Sequence, residues 1–386
     1  MGFMSGRVTY TRFRVGGGSP LPFGEEILEQ VDRHAIGRHQ IADPKDGVMV
    51  GWSGGDHLLD VSFDLAKNVL NDALHLAIRV DTDKIPGTLL NAYTKIETNA
   101  RAKDNPSGFP TKTQRTEAKE AARIRAEAES ADGRFRRLAH YPVLWDGQNE
   151  TLYAGATSAN VLERLLGLFR ETFDRSLDLI SAGTLANGMA ENRGESSASE
   201  NFGPVGFVGE DASYTTIAWS DGDPARPDHL GNEFLIWLWH TLQNDGDTIT
   251  LGDGSEATVM LAKTLTLDCP RGETGRDCLT NEGPTSLPEA FRALQAGKLP
   301  RKAGLIVVRH GQQYELTLQA ETMAVSGANM PKIEGATGPE FQVARVDGLR
   351  HLVETLDLLY DAYGRHRSGP EWGDVLGRIR RWLQAA

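Results

Sequence analysis

From Lys112 to Glu129 the chain passes no glycine and no proline, and alanine, glutamate, lysine and arginine make up most of the stretch. These residues lose little side-chain freedom in a helix and show none of the alternation of a strand, so the segment is predicted to be helical. At about 100° per residue, Lys112, Arg115, Lys119 and Arg123 fall in one narrow arc and form a basic stripe. The stripe is about 17 Å long at a rise of about 1.5 Å per residue, enough to follow several phosphates of one strand. Arg115 with Lys119 and Lys119 with Arg123 are like charges one turn apart. Each such pair costs the helix roughly 0.2–0.5 kcal/mol, a cost that a bound polyanion would remove. A solvated charged face is the plainer reading, and Arg123 with Glu127 and Arg125 with Glu129 are stabilising pairs that favour it. Directly downstream stands Gly133-Arg134-Phe135-Arg136-Arg137, an aromatic set among guanidinium groups after a turn residue. Phe135 is placed to stack on or wedge between bases while the arginines hold phosphates; the alternative is a phenylalanine that anchors its loop on the core.

A chain of 386 residues can bury a sizeable core and is expected to form two to three subdomains. No apolar run approaches the roughly 18 residues of a membrane span. Met1 to Val15 alternates polar and apolar residues and carries Arg7, Arg12 and Arg14, which is unlike a signal peptide, so a cytoplasmic location is expected. The formal net charge is −12. Residues 101–140 hold ten Lys and Arg against six Asp and Glu, a net of +4 that leaves −16 for the remainder. An acidic exterior with one basic surface would confine a polyanion to that surface. Cys269 and Cys278 flank a glycine-rich loop without the further ligands that zinc needs, so free thiols are expected.

Taken in order, Val8 to Val15 alternates with period two and reads as a strand, and Phe23 to His34 as a helix. The triple glycine between them has no Lys-Ser/Thr sequel and reads as a turn. Val48 to Trp52 and Leu74 to Val80 read as strands, and Leu89 to Ala100 as a helix. Pro106 to Pro110 then separates that helix from the basic one, which suggests a helical hairpin or arm over about 101–140. Tyr141 to Trp145 and Thr151 to Ala154, joined through Asp146-Gly147, read as a hairpin, and Val161 to Phe173 as a helix with a broad buried face. Residues 181–232 are rich in Gly, Ser, Asn, Asp and Glu and read as linker-like, with Ala190 to Asn201 as loop and Tyr214 to Trp219 as an isolated strand. Beyond lie a helix (Phe234 to Leu242), a hairpin (Thr248 to Leu251 with Thr258 to Asp268), a helix (Pro288 to Ala296) and a second hairpin (Leu305 to Arg309 with Tyr314 to Gln319). Two helices follow, Val346 to Tyr363 and Glu371 to Leu383. The expected class is α+β, with an N-terminal region 1–180, a linker 181–232 and a C-terminal region 233–386.

Catalytic patterns are few. Val308-Arg309-His310-Gly311 resembles the phosphohistidine motif of histidine phosphatases, but the glycine is better explained by a hairpin turn. Glu117-Ala118-Lys119 matches half of a nuclease motif that belongs on a strand, whereas this copy sits on a predicted helix. His57 with Asp56 and Asp60 offers possible metal ligands, yet in a glycine-rich loop reads as a solvated cluster. There is no nucleophile elbow and no cofactor motif. Trp237 and Trp239, in an apolar helix, read as core.

The order of elements resembles the bacterial recombination-associated protein RdgC family. The resemblance runs through Gly51-Trp52, Leu76 to Val80 with Lys84-Ile85-Pro86, the charged arm, Arg134-Phe135-Arg136-Arg137 ahead of Val143 to Asp146, and Ser158 to Phe173. It continues through Pro288 to Lys298 with the Leu305 strand, while SGRVTYTRFRV and Gly231 to Trp239 look like a divergent branch. It implies a ring-forming homodimer with a basic central hole that binds double-stranded, and in some settings single-stranded, DNA with little sequence preference. It also implies competition with the strand-exchange recombinase, and a nucleoid-associated, non-catalytic role despite an exonuclease label used for some members. The family's aromatic finger residue corresponds to Phe135. A basic, polar pair that precedes the Pro288 helix in typical members is replaced here by Glu282-Gly283, with Lys298, Arg301 and Lys302 as substitutes from the helix's other end. The expected DNA contacts are therefore Arg101, Lys103, Lys112, Arg115, Lys119, Arg123, Arg134, Phe135, Arg136, Arg137, Lys298, Arg301 and Lys302. The alternatives are a metal-dependent nuclease or phosphatase using His57, Asp60 or His310, and a protein-interaction module of a phage-defence or repair assembly.

Overall fold

A computed structural model describes residues 2–38, 41–43, 47–103, 105–195, 202–208, 217–220, 223 and 225–385. The first elements are β1 (Val8–Val15), α1 (Glu25–Arg33), β2 (Ile41–Asp43), β3 (Val48–Ser53), α2 (Leu65–Asn68), β4 (Val69–Leu70), β5 (Ala73–Asp83), α3 (Gly87–Lys103) and α4 (Lys112–Ser130). The middle of the chain forms β6 (Arg136–Asp146), β7 (Thr151–Ala154), α5 (Ala159–Phe173), β8 (Leu177–Leu179), α6 (Ala182–Asn192) and α7 (Leu230–Asn244). Then follow β9 (Thr248–Thr250), β10 (Glu256–Asp268), β11 (Asp277–Asn281), α8 (Pro288–Gln295), β12 (Leu299–Arg309), β13 (Gln312–Gln319), β14 (Val325–Asn329), α9 (Gly338–Ser368) and α10 (Trp372–Ala385). The class is α+β, built on antiparallel strands. Among the described residues no helix is long and apolar enough to cross a membrane.

The chain divides into two compact units, one of residues 1–25, 64–75 and 141–386, the other of residues 26–63 and 76–140. The expected boundaries at 180 and 232 are not where these units part. Strand pairing between distant segments explains why: β1 pairs on one side with β14, Val8 opposite Ala328, and on the other with β7, Arg12 opposite Tyr153. The N-terminal strand is thereby built into a sheet made mostly of C-terminal strands. Within the larger unit the order is β11-β10-β12-β13-β14-β1-β7-β6, with β8 also on β1 and β9 on β10.

Helix α7 fills the core of the larger unit. Every residue from Leu230 to His240 is buried, as expected of a helix that is apolar all round. Trp237 packs on Tyr363, and Trp239 on Trp382 and Phe291. Gly231 lets α7 approach the backbone closely, since a Cβ there would lie 1.9 Å from the Ala320 carbonyl oxygen. Several charges buried beside this core are paired: Arg12 of β1 donates two hydrogen bonds of 2.8 Å to Asp357 of α9, and Arg350 donates to Asp146 at 2.8 and 2.9 Å. Glu233 on α7 accepts from Arg367 Nε at 2.8 Å, from the Tyr363 hydroxyl at 3.0 Å and from the Val205 amide at 3.2 Å.

The span expected to be a linker is folded where it is described. Ser181 and Thr184 form a capping box that starts α6, whose small residues Ala182, Gly183, Ala186 and Ala190 face inward. Their spacing of three and four is helical, but side chains this small carry little hydrophobic signal in a sequence. Phe202, Phe207 and Ile217 are buried in the same core. Of the loop expected over Ala190 to Asn201, Ala190 to Asn192 belong to α6, while residues 196–201 lie outside the described residues. Tyr214 to Thr216 of the expected isolated strand also lie outside them, and Ile217 to Trp219 form no strand.

In the smaller unit β3 pairs with β5 (Trp52 opposite Ile78) and with β2 (Val50 opposite Ile41). Trp52, Ile78, Leu76 and Val31 are buried there. After β5 the chain leaves this small core as the helices α3 and α4 and returns along β6.

Candidate nucleic-acid interface

Helices α3 and α4 form an antiparallel hairpin with almost no core of its own. Side-chain contacts set the direction: Tyr93, early in α3, hydrogen-bonds Glu129 at the end of α4, while Arg101, late in α3, lies 3.8 Å from Glu117. The seam on α4 is Ala118, Ala122 and Ala126, all fully buried, and α3 buries no residue completely. A spacing of four places the alanines on one face, where the methyl groups let the helices come close. At the base, Glu129 gathers the arm: it accepts from the Tyr93 hydroxyl at 2.7 and 2.8 Å, and Arg125 and Arg134 lie at 3.6 and 3.8 Å. The Arg125 guanidinium also sits 4.2 Å above the Tyr93 ring.

The far end is ordered by side chain to backbone hydrogen bonds. Thr111 caps α4 by accepting from the Gln114 amide at 3.2 Å, and Gln114 Oε1 accepts from the Thr111 amide at 2.9 Å. Asn105 Nδ2 donates to Gln114 Oε1 at 2.6 Å and to the Phe109 carbonyl at 2.7 Å. Gly108 takes a positive φ of 69°. The result presents Phe109 to solvent with 72% of its surface exposed.

The structure sorts the expected contacts by what already holds them. Lys112, Arg115 and Lys119 are exposed along α4 and, among the described residues, make no ion pair; Lys103, Arg136 and Arg137 are likewise exposed and unpaired. Arg123 donates to Glu127 at 2.7 Å, and Arg101 to Glu97 at 2.8 Å. Arg134 is folded back as a fork onto Asp132, at 3.0 and 2.7 Å. That bonding holds the Asp132 carboxyl below its ordinary range. Exposed pairs of this kind are screened by solvent and worth little, so a phosphate could displace Glu127 or Asp132 at small cost.

In the larger unit, Lys298 is engaged by Asp277 and by the Gly275 carbonyl, both at 2.7 Å. Arg301 pairs with Glu321 at 2.7 Å and lies 4.4 Å over the Trp219 ring. Only Lys302 of that trio is exposed. Phe135 sits in the turn before β6 and is half-buried, whereas Phe109 is displayed to solvent. The signal that could have found it is local: Pro106-Ser107-Gly108-Phe109-Pro110 is a turn joining two solvated helices, where nothing nearby can cover a large apolar side chain.

The other patterns are absorbed by local structure. His310 and Gly311, with φ of 49° and 74°, are the turn between β12 and β13, and Arg309 is buried between Asp253 at 2.6 Å and Glu354 at 2.8 Å. Glu117-Ala118-Lys119 lies on α4 with Ala118 in the seam. His57 accepts from the Leu59 amide, and Asp60 from the Ser62 amide and hydroxyl, within one short loop. Among the described residues no three His, Cys, Asp or Glu gather as a metal-binding group. Cys269, buried, and Cys278, exposed, are free thiols.

A cleft of about 980 Å³ opens in the larger unit among β1, β7, β8, α6 and α9. Most of its charges are already neutralised, Arg12 by Asp357, Arg350 by Asp146, and Arg193 and Arg365 by Asp361. A scan against protein-family models and a search of curated proteins found no match to this chain.

Proposed function

We propose that this protein binds DNA without reading its sequence, using the α3–α4 arm, and that it acts as a dimeric ring or clamp that modulates homologous recombination. One observation carries the DNA reading: Lys112, Arg115 and Lys119 stand exposed on one helical face with no carboxylate partner among the described residues, in a chain whose net charge is −12. Like charges held one turn apart without compensation are mildly unfavourable for the helix, and phosphates would relieve them. A helix face of lysines and arginines offers backbone contacts and no base-edge code, hence the lack of sequence preference. The ring, the homodimer and the opposition to a strand-exchange recombinase rest on the resemblance to the RdgC family.

The test is binding of the full chain to duplexes of unrelated sequence over a salt titration, with solution mass measured alongside. The expected outcome is similar affinity for each duplex, a steep loss with salt and a dimeric mass. Failure to bind any duplex at low salt would overturn the DNA reading, and a monomeric mass would overturn the clamp. If no duplex is bound at low salt, the exposed Ile96, Ile124 and Phe109 of the arm favour a second reading, a protein-interaction module of a repair or phage-defence assembly. Incubating labelled DNA with the protein and Mn²⁺ tests the nuclease alternative, and intact DNA is the expected result.

A further inference from the structure

Phe109 is an exposed aromatic held by an ordered turn, which is an unfavourable place for a large apolar side chain unless it meets something. Its carbonyl oxygen accepts from Asn105 Nδ2 at 2.7 Å, Gly108 supplies the positive φ that the turn needs, and the Thr111–Gln114 capping box fixes the start of α4 immediately beyond. The ring is thus presented by a preorganised loop. Lys112 and Arg115, which make no ion pair among the described residues, stand three and six residues beyond it, and Lys119 continues the stripe one turn further. An apolar ring beside a run of cations is the pairing that a single nucleic-acid strand satisfies, with phosphates along the stripe and a base on the ring.

We infer that Phe109 is a base-stacking contact and that the arm's preferred ligand is a DNA strand with unpaired bases; this rests on the DNA-binding reading above. Stacking on a base that is already unpaired is favoured over wedging into a duplex, because a lone wedge must unstack a base step and returns only one ring contact. The cationic stripe sets the affinity common to all strands, and Phe109 adds the increment that depends on a base being there.

The experiment compares a labelled oligothymidylate with an abasic strand of equal length, for the full chain and for F109A, F109W and K112A/R115A/K119A. The wild-type chain is expected to bind oligothymidylate more tightly than the abasic strand. F109A should lose roughly tenfold on oligothymidylate and nothing on the abasic strand, F109W should restore the loss, and the triple variant should weaken both. Equal wild-type affinity for the two strands, an F109A that binds oligothymidylate normally, or one that weakens both equally would overturn the stacking role while leaving DNA binding intact. No binding of either strand by the wild-type chain would defeat the DNA-binding reading itself and this inference with it.

Discussion

Glu233 is a carboxylate in the middle of an apolar helix, and it is tolerated because Arg367, Tyr363 and the Val205 amide all donate to it. Arg367 and Glu233 have side chains only 4% and 3% exposed, so solvent cannot replace either partner. Arg367→Met should therefore destabilise the protein by about 3–5 kcal/mol in chemical denaturation, whereas the double change with Glu233→Gln should cost much less, since no uncompensated charge is left behind. Equal losses in the two variants would contradict this account. Nearby, His229 Nε2 donates to the Phe202 carbonyl at 2.8 Å, and burial pushes its pKa below the ordinary 6.5. The sign follows: the folded chain holds this ring neutral while the unfolded chain takes up a proton near its ordinary value, so protons favour the unfolded state below that pH. Burial lowers His240 and His351 as well. Stability should therefore fall as the pH drops below the ordinary histidine value of about 6.5, and His229→Asn should flatten part of that fall. At this scale the sequence was legible where a residue's own helix explains it, as for Trp237 and Trp239 in the core. It was silent for Glu233, whose ion-pair partner lies 134 residues away.

Among the elements, the arm depends most on a few small side chains. Ala118, Ala122 and Ala126 are its only fully buried residues on α4, so the two helices stay together through an alanine seam and the Tyr93–Glu129–Arg125 contacts at the base. Ala122→Leu should force the helices apart at a cost of roughly 1–3 kcal/mol. The measurement is limited trypsin digestion, with faster cleavage expected at Arg101, Lys103 and Lys112 than in the wild type. Unchanged protection would mean that the seam does not hold the arm. The helix itself was plain in the sequence, since a long run of helix formers bounded by Pro110 admits little else, and Thr111 with Gln114 supplies its capping box. The pairs Arg123–Glu127 and Arg125–Glu129 formed as their spacing suggested. Helix α6 was missed because alanine and glycine spell its buried face. Strands β11 and β14 were missed because they are short, and polar or glycine-containing residues give them no apolar run to read.

Across the whole molecule, the division into units was the least legible feature. The smaller unit is assembled from residues 26–63 and 76–140, with the larger unit's residues 64–75 between them in sequence. Composition and periodicity report local preference only, and neither records that Val8 will pair with Ala328. Charge distribution was legible at this scale, because the balance of residues 101–140 does not depend on the fold. What structure adds is which cations have a partner: Lys298 and Arg301 are engaged by Asp277 and Glu321, while Lys112, Arg115 and Lys119 make no ion pair among the described residues. Each phosphate neutralised on duplex DNA contributes about −0.9 to the slope of log K against log salt concentration. The central claim is that these three side chains meet phosphates, and the decisive measurement is that slope for the wild-type chain beside K112A/R115A/K119A. The expected result is a slope shallower by about 2 to 3 in the variant; parallel lines would mean that the stripe is an ordinary solvated face and that any DNA binding lies elsewhere.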